Sequence, residues 1–482
     1  MRKLKVIFIL FVIFFIGYFL ISNSNIFHII SNITKNSINE NSDDNSNSIN
    51  SNNTTNNSNN NNFVEILVNQ ENLMESLSSI TSTPRNYGSA GELNSSQYLS
   101  QKLSEYGYIV KSQDFPIYTQ DVNSFINIGQ NTDYLNLNPY SSDILANGVN
   151  VIARHPNFDN TKKTLYLTAH YDSTEYTTGV IDNGTGCSVL LETARILQNF
   201  NDDINIGIIF FSAEEYFRYG SKYFVSTLTD EDSSNIIGCI NVDMVGEENA
   251  GNVVMQTTSG KNNIISTLLD TLLPQQFELS LGGSSDDLSF YMGKIPVVTL
   301  ANKSSNYVLD REDTQTQLEN LNFNKLANVV ESLATFVVNF NLNTYSKILK
   351  NGINSNIANT TKMTSFKDFA LTDIKENFLE NGFDIESNYT YSNPNNQKFT
   401  LTEKNIKFIP EVSYTDFTFS LTEPDWGYRI TSNELYFKTP KYYGTIKGDL
   451  SQRELLNILE EYYLKEYEIL FKELPGNKLF AF

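Results

Sequence analysis

Three apolar runs in this 482-residue chain stop at ionisable side chains. "LTAHYDS" closes on His170 and Asp172, "IIFFSAEEYF" on Glu214 and Glu215, and "INVDMVG" on Asp243, while Asp182 lies in "GVIDNGTGCS", a Gly-rich turn opening a helix. Taken singly, each has an ordinary reading: adjacent acids suit a solvated strand end near the positive pole of the next helix, and D-N-G is a common turn. Taken together, they share a position. Open α/β sheets bind ligands beyond the carboxyl ends of their strands, so all six groups are expected to converge on one crevice. One imidazole among several carboxylates, with no nucleophile in a recognisable elbow, points to a hard or borderline divalent metal ion. Within H-Y-D, alternate residues of a strand face one side, so Asp172 is placed to accept a hydrogen bond from the distal ring nitrogen of His170.

The elements that would carry these groups are legible as periodicity. Apolar residues recur at helical spacing from Leu73 to Ile80 and from Tyr98 to Leu103, with Pro84 and Gly88 between them. Strand-like runs follow at "YIVKSQDF", "GVNVIARH", "TLYLTAHYD", "INIGIIFFS", "NIIGCINVDMVG" and "IPVVTLAN", separated by helical patterns such as "GCSVLLETARILQNF" and "NIISTLLDTLL". Ile- and Val-rich strands alternating with helices predict an α/β domain whose central sheet is mostly parallel and covered by helices on both faces.

At this level of detail the chain resembles a family. "RNYGSAGE", "LTAHYDS", "GVIDNGTG", "FFSAEEYFRYGSKYF", "INVDMVG" and "GSSDDLSFYMGKIP", in this order, look like the co-catalytic zinc aminopeptidases of peptidase family M28, which include bacterial leucyl aminopeptidases. The likeness spans about residues 63–343. It implies that His170 and Asp243 hold one metal ion, that Asp182 bridges two, that Glu215 holds the other, that Glu214 is the general base, and that Asp172 supports the histidine. It further implies zinc, as one or two ions with cobalt or manganese as substitutes, and a peptide or aminoacyl substrate. The family pattern also has a second histidine in Y-H-x-x-x-D-T. Here the stretch is "NYVLDREDT", and aligning Asp313 and Thr314 with D-T puts Leu309 at the histidine position. Tyr307, Asp310 or a water is then the substitute ligand in an active peptidase; the alternative is a binding or scaffold ectodomain that has lost activity.

Composition bounds the rest. With 34 basic and 55 acidic residues the formal net charge is −21, which disfavours nucleic acid and anionic membrane surfaces as partners. Arg2, Lys3 and Lys5 precede the apolar run Val6–Ile21, and no A-x-A-like cleavage site follows it. Residues 1–30 are therefore expected to be an uncleaved single-pass anchor in the cell membrane, with a cytoplasmic start and the bulk of the chain extracellular; a cleaved signal peptide is the competing reading. The Asn/Ser-rich stretch 31–62 reads as a disordered tether, 63–343 as the metallopeptidase-like domain and 344–482 as an accessory α+β domain. In that last part "KFTLTEKNIKFI" and "TDFTFSLTE" read as strands, and Ser451 with Glu454 forms a capping box before a closing helix that Pro475 and Gly476 end. Cys187 and Cys239, both inside apolar segments, read as buried free thiols, with a disulfide between them left open. Oligomeric state is not encoded in any of these features.

Restoring the family ligand is a direct test of the alignment. Leu309→His is expected to raise metal affinity or stoichiometry, read by metal counting on the purified protein; an unchanged count and affinity would misplace the missing ligand.

Overall fold

The computed structural model describes residues 64–120, 134–135, 137, 143–200, 203–282, 284–303, 312–354, 364–379, 382–405, 418–419, 427–431, 433–439 and 442–472. The expected anchor and tether, Tyr307, Leu309, Asp310, Pro475 and Gly476 lie outside them. Among the described residues no helix is long and apolar enough to cross a membrane.

Eight strands form the first sheet: β1 (Ile109–Tyr118), β2 (Ile144–Arg154), β3 (Thr164–His170), β4 (Asn205–Phe211), β5 (Ile236–Val242), β6 (Val253–Thr257), β7 (Leu279–Leu281) and β8 (Val297–Asn302). Their spatial order is β1-β2-β4-β3-β5-β8-β6-β7. The centre, β4-β3-β5-β8, is parallel, and β6 runs parallel to β7. β2 is antiparallel to both its neighbours and β6 is antiparallel to β8. The sheet is therefore mixed, with a parallel centre and four of its seven neighbouring pairs parallel. An apolar run reports how deeply a strand is buried and carries no sign for its direction, so the reversal at β2 and β6 has no signature in the pattern.

Helices cover both faces. They are α1 (Gln70–Ile80), α2 (Ala90–Glu105), α3 (Thr185–Ile196), α4 (Tyr219–Ser226), α5 (Asp230–Asn235), α6 (Ile264–Leu272), α7 (Asp287–Met292), α8 (Phe323–Asn339) and α9 (Leu342–Asn351). α1, α2, α3, α6 and α8 pack with Leu165, Leu167, Ile206, Ile208, Phe210 and Leu300 in one apolar cluster. α4 and α7 pack with Ile152, Tyr166, Ile209, Phe211 and Val297 in another. Alternate residues of one strand thus enter opposite layers, as a pleated strand requires. α3 is buried at every residue but Arg195, its polar Thr185, Ser188, Glu192 and Thr193 included. At the start of α1 the Asn69 side chain accepts from the Glu71 and Asn72 amides, meeting donors the helix itself leaves unpaired.

The register aligns the strand ends that matter. His170 pairs with Phe211 across β3 and β4, and Val242 pairs with Leu300 across β5 and β8. His170, Glu214 and Asp243 therefore leave the same edge of the sheet.

A second, antiparallel sheet of nine described strands runs from Ile353 to Gly448, its longest members Phe369–Leu379, Asp384–Ser392 and Lys398–Asn405. The strand Lys398–Asn405 takes the first part of "KFTLTEKNIKFI", and Thr418–Phe419 is the part of "TDFTFSLTE" that forms a strand. The helix α10 (Gln452–Lys472) opens with the expected capping box, the Ser451 amide donating to Glu454 Oε2 at 2.7 Å and the Glu454 amide to Ser451 Oγ at 3.3 Å. Residues 62–459 form one compact unit; of the other unit, residues 460–472 are described. Both cysteines are free and buried.

Leu190 on α3 is fully buried in the larger cluster. Leu190→Ala is expected to cost about 2–5 kcal/mol of stability, seen as a lowered thermal unfolding midpoint; an unchanged midpoint would contradict the packing.

Candidate metal centre

The His170 imidazole is buried at the end of β3 among three carboxylates. Its Nε2 lies 3.1 Å from Asp182 Oδ1 and 3.6 Å from Asp243 Oδ1, and its Nδ1 lies 3.4 Å from Asp172 Oδ1. One ligand atom from each of His170, Asp182 and Asp243 falls within 4.8 Å of the others, so these three can hold a metal ion together. Asp172 is close to Nδ1 as expected, yet that nitrogen has no aligned acceptor and the contact is electrostatic rather than a formed hydrogen bond.

The chief role of the Asp172 carboxylate is one that strand alternation does not predict. Its two oxygens accept from the Glu214 amide at 2.9 Å and the Glu215 amide at 3.1 Å, which fixes the start of the acidic turn against the end of β3. Glu214 is half-buried and Glu215 exposed. Glu215 stands beside the three-residue group, and its carboxylate is not part of it.

Charge crowding sets the electrostatics. Burial by itself would lower the His170 pKa, but Asp243, Asp172 and Asp182 outweigh it and hold the imidazole well above its ordinary value. Desolvation, reinforced by Asp286 and Asp243 and opposed by His170 and Arg218, pushes the Glu214 carboxyl well up. Glu215 is raised by desolvation and then by the charges of Asp182, Glu214 and Asp172. Behind them Asp286 and Asp287 are fully buried, and desolvation pushes each up to about 7. A bound dication would reverse the logic for His170, because neutral imidazole is the ligating form.

The backbone is bent to make this possible. Ala213, Phe217, Arg218 and Met244 all have left-handed φ, between 53° and 64°, and they flank Glu214, Glu215 and Asp243. Such conformations in non-glycine residues cost about 1–3 kcal/mol each and persist where the surroundings over-determine them. Asn183 supplies part of that determination: its Nδ2 donates to Val242 O at 2.8 Å, and its Oδ1 accepts from the Gly186 amide at 2.9 Å. This ties the Asp182 turn to the strand end bearing Asp243. Position 186 must be glycine here, since a Cβ would stand 2.4 Å from both Val242 O and Asn183 Oδ1.

Residues 150–337 match the family model for peptidase family M28. All six residues singled out from the sequence fall in that stretch, and the resemblance drawn from its motifs is borne out. The chain is 36% identical to aminopeptidase YwaD of Bacillus subtilis over 133 residues, 26% of this chain and 29% of that protein. It is 27% identical to leupeptin-inactivating enzyme 1 of Streptomyces exfoliatus over 237 residues, 48% of each. The chain thus spans less than half the length of these curated relatives. The solved structure of BSAP, a zinc aminopeptidase from Bacillus subtilis, superposes with a TM-score of 0.48 at 19% identity, covering 57% of this chain and 95% of that one.

Within and beside the M28 stretch, residues that motif reading passed over hold the site together. Arg85, fully buried, donates from Nε to Tyr171 O at 2.6 Å, from one terminal nitrogen to Gly179 O at 3.0 Å and from the other to Thr178 O. Glu92, raised to about 8 by burial, accepts from the Ser212 hydroxyl just before the acidic turn. Asp313 accepts from the backbone amides of Ile181 and Asp182. Arg85 and Glu92 stand in "RNYGSAGE" and Asp313 in the D-T pair, so family likeness marks the segments but not the contacts.

Removing the Asp172 carboxylate would leave two backbone amides unpaired and the imidazole without its Nδ1 neighbour. Asp172→Ala is expected to weaken divalent metal binding about 10–100-fold, measured by zinc competition with a chelating dye; full affinity would show that the turn positions itself.

Proposed function

We propose that the chain is a metal-dependent peptidase of the aminopeptidase type, hydrolysing N-terminal peptide bonds. The observation that carries the reading is the convergence of His170, Asp182 and Asp243 on one small volume with Glu214 alongside, in the stretch that matches family M28. The donor set fits zinc, which takes imidazole nitrogen and carboxylate oxygen, and Asp243 Oδ1 is buried with no hydrogen-bond donor to satisfy it. His170, Asp182 and Asp243 would hold one zinc ion, and Glu215 a second with Asp182 shared. Zinc, when bound, supplies Lewis acidity and makes water a nucleophile near neutral pH.

Glu214 takes the proton of the attacking water and returns it to the departing amine. Asp172 holds Glu214 to its place through the backbone amide. The left-handed residues Phe217 and Arg218 turn the chain after the acids into helix α4. By this reading the basic start and apolar run of residues 1–30 anchor the protein in the cell membrane, residues 31–62 tether it, residues 63–343 are the catalytic domain on the extracellular side, and residues 344–482 are accessory.

The purified full chain, supplied with zinc, cobalt or manganese, is expected to turn over aminoacyl amides and short peptides with a free amino terminus. Glu214→Gln should lower the rate about 10²–10⁴-fold with metal content unchanged. Folded, metal-loaded protein without turnover would overturn the enzymatic reading, and full turnover in Glu214→Gln would remove Glu214 as the base.

A further inference from the structure

Asp182 sits in a turn that ordinary helix geometry does not support. Its φ of −109° and ψ of 95° break the helical path between Val180 and Thr185, so the turn must be held from outside. Asn183 and Arg85 hold two of its sides. The third contact is made by Asp313, which is fully buried and comes from a segment more than a hundred residues downstream.

Asp313 uses both carboxylate oxygens on this turn. Oδ1 accepts from the Ile181 amide at 2.8 Å and Oδ2 from the Asp182 amide at 2.9 Å, while the Asp313 carbonyl accepts from the Gly179 amide at 3.0 Å. A carboxylate that takes two successive amides fixes both peptide planes flanking Ile181, the second of which carries the Asp182 Cα. The Asp182 side chain leaves that plane toward His170 Nε2. There is no slack on the opposite side, because a Cβ at Gly179 would stand 2.3 Å from Asp182 O and 2.8 Å from an Arg85 terminal nitrogen. Gly179 itself is left-handed, with φ of 55°.

We propose that Asp313 is a positioning residue for the metal centre: by gripping the Ile181 and Asp182 amides it aims the Asp182 carboxylate at His170, and without it divalent metal binding weakens. This rests on the metal-dependent reading above. Groups that hold a ligating side chain in place typically account for 10–100-fold in metal affinity, although they never touch the ion. Asn in place of Asp313 keeps the shape but points an NH₂ at one of the two amide donors, leaving that amide unpaired in a buried place.

The test is a double-mutant cycle on the full chain, with affinity for zinc read by chelator competition, the visible absorption of the cobalt-loaded protein read at saturation, and folding checked by circular dichroism. Asp313→Asn should weaken zinc binding about 10–100-fold and shift the cobalt spectrum, yet change affinity by no more than about twofold in an Asp182→Ala background, because its effect passes through Asp182. Equal losses in both backgrounds, or unchanged affinity and spectrum, would overturn the proposal by showing a general contribution to the fold. If Asp313→Asn does not fold, Asp313→Glu, which keeps the charge and moves the acceptor by one methylene, is carried through the same cycle. Parent protein that binds neither zinc nor cobalt would overturn the metal reading itself, and this proposal with it. Parent protein that binds both, beside an additive cycle, would overturn the positioning role alone.

Discussion

The structure depends on how it tolerates negative charge at one edge of a buried sheet. Asp172, Asp182, Glu214, Glu215, Asp243, Asp286 and Asp287 lie near a single imidazole, and few cations stand among them. Like charges in a medium of low effective permittivity repel strongly, and desolvation adds to the cost. Such a cluster can remain folded if protons, backbone amides or a bound cation take up the charge. Burial shifts the carboxyl groups of Glu214, Asp286 and Asp287 toward their protonated forms. A divalent ion is the answer that also gives the cluster something to do.

Backbone amides are the part of the answer that the chain builds permanently. Asp172 takes two amides from the acidic turn, and Asp313 takes two from the Asp182 turn. In both cases a carboxylate is satisfied by successive N–H groups, and in both the amides belong to the segment that carries the next functional acid. Neutralising one charge and aiming another are the same interaction. Left-handed Ala213 immediately precedes the two amides that Asp172 accepts, so a buried carboxylate helps offset the strain of that turn.

Arg85 completes the frame from the other side. It spends its guanidinium on the carbonyl oxygens of Tyr171, Thr178 and Gly179, so it orders the loop between Asp172 and Asp182 rather than pairing with either acid. A buried cation used on carbonyls leaves the acids free for another partner. With Asn183 bound to Val242 O, the Asp182 turn is tied to the ends of β3 and β5 at once. The site is therefore rigid where ligands must converge, and the exposed Glu215 lies at its solvent side.

Much of this was written locally. The residue types that close each apolar run, the helical and strand periods, the capping box at Ser451 and the burial of both cysteines follow from short stretches of chain, because side-chain chemistry and hydrophobic period act over a few residues. His170, Asp182 and Asp243 could be singled out from where their strands and turn stop. The reversed directions of β2 and β6, and the short strands Val253–Thr257 and Leu279–Leu281, could not, since neither direction nor three to five residues leave a period to read. Nor could the grip of Asp313 on Asp182, 131 residues away, or that of Arg85 on Gly179, 94 residues away. Local residue patterns settle which groups reach the end of the sheet. Which amides meet which carboxylates is set by the packed fold, because those hydrogen bonds join segments that only the sheet and its helices bring into hydrogen-bond distance.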